Sequence, residues 1–114
     1  MIIYQAVLTL THGTPQQVSF TDPQGNPILK CTRLTAEPGD GNSHVAYIGN
    51  ATMAIGTSTE TGVVKRLAPP SGATAIIDMY DTGIQQSHGN VISFNDFYFD
   101  GTTSEQVKVS AYVR

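Results

Sequence analysis

The chain has no tryptophan and one cysteine, and only 13% of its 114 residues are charged. Each shortage removes a class of function. A lone cysteine, Cys31, cannot close an internal disulfide. It sits between Lys30 and Thr32 in an alternating stretch, which points to a buried, inert thiol. A reactive thiol needs a base nearby, and the sequence offers no candidate at a telling distance. Without tryptophan, a sugar-stacking platform has to come from Tyr4, Tyr47, Tyr80, Tyr98 and Tyr112. At least half of these fall in strand interiors, where they fill core and interface positions with the hydroxyl reaching water. Charge of either sign is sparse: six Lys and Arg against nine Asp and Glu, a net of −3. Lys30, Arg33, Lys65, Arg66, Lys108 and Arg114 are scattered and build no phosphate-tracking stripe, so nucleic acid is not an expected partner.

Long hydrophobic runs are missing too. The opening MIIYQAVLTL is apolar but far too short to span a bilayer. It also lacks the basic flank and small-residue cleavage site of a secretory leader. It reads as a strand, with no membrane partner and no classical export expected, and the sequon Asn50-Ala51-Thr52 reads as chance. The signatures of chemistry are equally thin. There is no Gly-x-Ser-x-Gly elbow and no glycine-rich phosphate loop. His12, His44 and His88 are far apart and form no close pair of metal-ligand spacing. Asp78, Asp81, Asp96 and Asp100 lack the alternating oxygen ligands of a calcium loop. As an acid pair for glycoside cleavage they are not distinguished from carboxylates at strand ends and turns. No catalytic, cofactor-binding or metal-binding residue is assigned.

What the chain does contain is β chemistry. Thr, Ser, Asn and Gln are plentiful, eleven glycines and six prolines punctuate the sequence, and 39% apolar content places it among folded chains. Ile2, Tyr4, Ala6, Leu8 and Leu10 alternate on one face of the first strand, which is expected to be buried. Val18 and Phe20 mark a second strand, closed by the turn Asp22-Pro23-Gln24-Gly25-Asn26-Pro27. Residues 28–35 and 44–48 flank a loop, residues 36–43, in which Pro38, Gly39, Asp40, Gly41 and Asn42 supply turn chemistry. They read as a broad hairpin whose second arm breaks at Gly49-Asn50. A loop or weak strand pair follows around Met53 and Ile55. Residues 62–67 and 74–79 read as further strands, and residues 80–90 as a polar loop. Residues 91–99 hold the densest aromatic cluster, with Phe94, Phe97, Tyr98 and Phe99. Asp100-Gly101 turns the chain into a last strand, where Val107, Val109, Ala111 and Val113 share a face. No window has a sustained helical period. About eight short strands with turn signals roughly every ten residues predict an all-β chain. The expected architecture is a single domain, residues 1–114, built as an antiparallel β-sandwich of jelly-roll-like or immunoglobulin-like topology, favoured over a closed barrel.

One pattern goes further. Cys31-Thr32-Arg33-Leu34-Thr35-Ala36-Glu37-Pro38 is followed by Gly41-Asn42 and by Val45-Ala46-Tyr47-Ile48-Gly49-Asn50-Ala51. A strand and Pro/Gly turn come next (residues 63–72), then the aromatic element Phe97-Tyr98-Phe99-Asp100-Gly101 and the Val-alternating residues 107–113. In order, this resembles small structural proteins of tailed-bacteriophage virions over residues 17–113. It departs from them in Pro69-Pro70, in the longer residues 78–90 and in the long first strand. The resemblance implies a non-enzymatic capsid cement or decoration protein that binds between capsomers. Its partners would be the major capsid protein or other virion proteins, it would be made in the host cytoplasm, and it would act on the capsid surface. The resemblance also implies a homotrimer; the apolar face of the first strand and the tyrosines near the two ends make Ile2, Tyr4, Ala6, Leu8 and Tyr112 the expected interface. The alternative is a tail, baseplate or fibre-associated β-module that binds a receptor or carbohydrate. No cofactor is expected in either case.

Overall fold

In the computed structural model, residues 2–56, 59–69, 77–78, 92–93 and 97–113 are described, and every regular element among them is a strand. In chain order these are β1 (Ile2–Thr9), β2 (Phe20–Thr21), β3 (Pro27–Ile28), β4 (Lys30–Cys31), β5 (Arg33–Pro38) and β6 (Ala46–Ala54). β7 (Thr61–Leu67), β8 (Ile77–Asp78), β9 (Ile92–Ser93), β10 (Tyr98–Asp100) and β11 (Gln106–Val113) complete the set. One sheet runs β1-β11-β5-β8 and a second β10-β6-β7, with the small pairs β2-β3 and β4-β9 beside them. All pairings are antiparallel. The chain is an antiparallel β-sandwich.

Alternation decides which face turns inward. Along β11, Val107, Val109 and Ala111 are fully buried. Their ladder partners lie on the same face: Leu8, Ala6 and Tyr4 on β1, and Pro38, Ala36 and Leu34 on β5. Ala46, Ile48, Leu67 and Phe99 meet this layer from the second sheet, in one apolar cluster that also takes in Leu10, Val18, Phe20 and Phe97. Tyr4 leans on Phe20 with ring centroids 6.1 Å apart, a tilted pairing of the kind aromatic quadrupoles favour. Burying a side chain such as Leu34 or Val109 contributes roughly 1.5–3 kcal/mol each.

The turn after β2 forms as its sequence predicts. The Asp22 carboxylate accepts from the amides of Gln24 (3.0 Å) and Asn26 (2.8 Å), while Gly25 takes a φ of 85°, a region that costs glycine nothing. Three other expectations need correction. Residues 28–48 are not a hairpin: β5 and β6 belong to different sheets, so residues 39–45 form an arch across the sandwich. The expected loop also begins too early, because β5 continues through Ala36 to Pro38. Gly39 bonds to Gln106 across the β11 ladder (2.8 Å), so in an antiparallel pair with alternating bonds Pro38 faces away from β11 with its missing donor. Nothing in that ladder is lost. Finally, Gly49-Asn50 does not end a strand. β6 runs on to Ala54 and hairpins into β7, with register shifts at Ile48/Gly49 and Gly49/Ala54. A Cβ on Gly49 would collide with the Gly62 carbonyl oxygen, so glycine permits a bulge at this point, not a break. Among the described residues there are eleven strand segments, several of them two-residue pieces of extended runs that change partner midway. Thr32, for example, separates β4 from β5 while its amide and hydroxyl both donate to Tyr112 O (2.8 and 3.0 Å). Residues 80–90, with His88 and Asp81, and residues 94–96, with Phe94 and Asp96, lie outside the described residues.

Cys31 is 2% exposed. Burial pushes its thiol up to about 12, against a smaller opposing hydrogen bond from the Arg33 backbone, so the nucleophilic thiolate is scarce at any physiological pH. A thiol reagent should therefore label Cys31 slowly in the native protein and rapidly once it is unfolded. Cys31→Ala should cost about 1 kcal/mol through lost volume. Cys31→Ser should cost as much or more, on the order of 1–3 kcal/mol, by burying a hydroxyl. Fast native labelling would contradict the packing described.

Candidate functional site

The arch between the sheets is tied down by side chains that imitate backbone. Asn42, 8% exposed, donates through Nδ2 to the Gln106 carbonyl (2.7 Å) and accepts from the Gln106 amide at Oδ1 (2.9 Å). It thereby extends the β5–β11 ladder past the end of β5. Beside it, Glu105 collects four donors from the arch. The amides of Ser43 and His44 reach its two oxygens at 3.0 and 3.1 Å, the Ser43 hydroxyl at 3.1 Å and His44 Nδ1 at 2.9 Å. Partial burial opposes ionisation of this carboxyl. The His44 hydrogen bond, then those from Ser43 and His44 backbone, outweigh burial and hold it down to about 2.

Ser43, His44 and Glu105 resemble the members of a hydrolytic relay, but their geometry differs from one. Glu105 Oε2 and Ser43 Oγ both meet the same ring nitrogen, Nδ1, at 2.9 and 3.1 Å. A relay uses opposite nitrogens, one for the orienting acid and the other for the nucleophile. A carboxylate only accepts, so Nδ1 carries the proton, and the Ser43 hydroxyl donates to Glu105 Oε2 (3.1 Å) rather than to the ring. The cluster is a clamp on the arch.

Beyond the clamp lies an open groove of about 400 Å³, bordered by His12, His44, Tyr47, Ile55, Gly56 and Thr102 among others. Two histidines that are 32 positions apart thus share one concavity, although nothing in their spacing suggested it. The ring of His12 covers Gly56, where a Cβ would stand 2.8 Å from Nε2. Arg66 sits over the Tyr47 ring at 6.0 Å and ion-pairs with Glu60. Burial, then a hydrogen bond to Glu60, pushes the Tyr47 phenol up. Asp100, fully buried, anchors the loop that carries His12: its Oδ1 accepts from the amides of Gly13 (3.2 Å) and Gly101 (2.7 Å), while Oδ2 has no partner. No group of three His, Cys, Asp or Glu capable of holding a metal ion occurs among the described residues.

The second candidate is the edge of the larger sheet. The amide of Leu10 donates to Glu105 O (2.8 Å) in the same register as the β1–β11 ladder. Antiparallel bonding alternates by residue, so Ile2, Tyr4, Ala6 and Leu8 direct their backbone groups to β11. Ile3, Gln5, Val7 and Thr9 direct theirs outward. The side chains follow the same parity. Of the residues expected at an interface, Tyr4, Ala6 and Leu8 are half-buried and packed on the chain's own core. Tyr112 lies on the outer face opposite Ile3 and Arg33, with Arg33 over its ring at 5.6 Å. Only Ile2, 54% exposed, is open, and it is joined by Ile3 (48%) and Val7 (55%) from the opposite face of the strand. Comparison with protein-family models, curated proteins and solved structures returned no match to this chain.

The Glu105 clamp makes stability depend on acid pH. A carboxyl held at about 2 in the folded chain, against about 4.3 when unfolded, contributes stability that is fully present above the unfolded value. That contribution is lost as pH falls from about 4 through about 2. Thermal unfolding between pH 5 and 2 should show the wild type losing Tm steeply over this window. Glu105→Gln should start lower and lose less.

Proposed function

We propose that the chain is a non-enzymatic structural protein of a tailed-phage particle, a capsid cement or decoration protein that stabilises the head by binding between capsomers. Its partners are the major capsid protein or other virion proteins, and it acts on the capsid surface after synthesis in the host cytoplasm. One observation carries the reading beyond the sequence resemblance. β1 presents eight residues of uninterrupted, uncharged edge with Ile2, Ile3 and Val7 exposed. Free-standing domains ordinarily blunt such an edge with charge, proline or a bulge, because it recruits other strands. A protein whose task is to be held in an assembly has use for it. The hydroxyl-rich, lightly charged surface suits contacts that rest on shape and backbone pairing. The Ser43–His44–Glu105 geometry also supports a non-catalytic role.

A second reading, a tail or fibre-associated module that binds a receptor or carbohydrate, is favoured by the groove. Tyr47 offers an aromatic wall there, with Ser43, His44 and Thr102 as polar neighbours, a composition able to hold a small polar ligand.

Particles purified from the phage that encodes this chain should contain it in fixed ratio to the major head protein, and the isolated protein should rebind heads stripped of it. Absence from purified particles would overturn the proposal. Glycan-array binding abolished by Tyr47→Ala, with no affinity for heads, would replace it with the second reading.

A further inference from the structure

We infer that two copies of this chain pair through β1, edge to edge and antiparallel, about a two-fold axis at Gln5. The inference rests on the structural role proposed above and names the partner of its open edge. β1 carries no charge and no proline along its eight residues, and its ladder with β11 has no register shift. Lys108, opposite Val7 on β11, is engaged by Asp40 at 3.0 Å. Two such edges therefore meet without like-charge repulsion, although each whole chain is acidic with a net charge of −3.

Register follows from parity. The outward backbone groups belong to Ile3, Gln5, Val7 and Thr9, and only these can exchange hydrogen bonds with a second strand. Centring the pair on Gln5 sets Ile3 opposite Val7 of the second copy on the outer face, twice by symmetry, with the two Gln5 amides between them. On the inner face it sets Ile2 opposite Leu8 and Tyr4 opposite Ala6. Every exposed apolar side chain of β1 then gains an apolar cross-strand neighbour, the unit from which sheets draw stability. Shifting the centre to residue 6 would place Ile3 against Thr9 and Val7 against Gln5, which leaves both apolar residues beside polar ones. The strand is self-complementary in one register.

A head-to-tail ring, as a trimer requires, needs a second edge to receive β1. The other long open edge among the described residues is β7, and it is guarded. Exposed Arg66 and half-buried Lys65 lie along it, Gly62 takes a φ of 71°, and its pairing with β6 is irregular. Charge and irregularity are the usual protections against strand addition. β1 lacks them and finds its match in itself. The pair would join two four-stranded sheets into one continuous sheet of eight.

Cross-linking tests the axis directly. In a hydrogen-bonded antiparallel pair, opposing Cα atoms lie about 5.5 Å apart, inside the ~4.4–6.8 Å range a disulfide spans. Gln5→Cys, treated with a mild oxidant, should form a covalent dimer in high yield. Thr9→Cys, about 27 Å from its symmetry mate at ~3.4 Å per residue, should not. Buried Cys31 gives no background. By sedimentation, the wild type should show a concentration-dependent dimer. Val7→Lys, an exposed position, should shift dissociation at least tenfold toward monomer while Cys31 stays protected from reagent, which establishes that the variant is folded. A wild-type monomer at all concentrations, a dimer or trimer indifferent to Val7→Lys, or cross-linking at Thr9 in preference to Gln5 would each overturn the pairing. A monomer nonetheless found in purified particles removes the pair and leaves the structural role. A Gln5-centred dimer absent from particles does the reverse.

Discussion

β11 is bonded along both of its sides, and most of the molecule hangs from that fact. Its odd-numbered residues face β1 and its even-numbered residues face β5. Nearly every irregular segment also reaches back to its ends. Gly39 and Asn42 bond to Gln106, Leu10 bonds to Glu105, and Thr32 bonds to Tyr112. Strands that never touch each other are thus placed in one frame by a third. Because a backbone donor or acceptor buried without a partner is costly, this single ladder fixes the height and register of the whole larger sheet. It also settles which residues of β1 are left facing out.

The carboxylates that bond to backbone amides stand at strand ends and in turns. Glu105 stands at the point where β11 has ended and the arch has begun, and it satisfies two amides that no strand is present to meet. Asp22 does the same inside a turn and Asp100 at the root of the His12 loop. In each case a carboxyl oxygen substitutes for a missing carbonyl. Hydrogen bonds to charged acceptors are stronger than those between neutral groups, so a few carboxylates organise loops whose sequences are otherwise permissive. The surface ion pairs, such as Lys108 with Asp40, are exposed and contribute little by comparison.

Much of this was legible from the residues and some was not, for physical reasons. Two-residue alternation identified the inward faces of β1 and β11, the burial of Cys31 and the all-β class, because side-chain direction in a strand is a local property. The Asp22 turn was legible for the same reason. Pairing is not local. Residues 28–48 read as a hairpin because a Pro/Gly/Asn loop joins two extended arms in either case. Whether the arms bond to each other or to different sheets depends on β11 and β10, which lie some sixty residues on. The bulge at Gly49 looked like a strand end because glycine serves both. The groove shared by His12 and His44 and the clamp on Glu105 arise only after the sheets are stacked. The apolar face carrying Tyr4, Ala6 and Leu8 is legible from alternation; that it packs on the chain's own core, and that β1 stands at an edge, are properties of the sheet's order, invisible in the strand itself.

The place of β11 at the centre of its sheet has a temporal side. Chains emerge from the ribosome in sequence order, so β1 waits through about a hundred residues before β11, its ladder partner among the described residues, exists. Closing so long a loop is slowed more than it is destabilised, since the entropic penalty grows only as the logarithm of its length, whereas folding rate falls steeply with the sequence distance between partners. During that wait both flanks of an uncharged strand are unpaired. Nascent chains on one messenger are close neighbours, and pairing between their unpaired strands then competes with completion of the fold. Slower translation of the residues that lead into β11 would lengthen that exposure, and crowded synthesis would aggravate it.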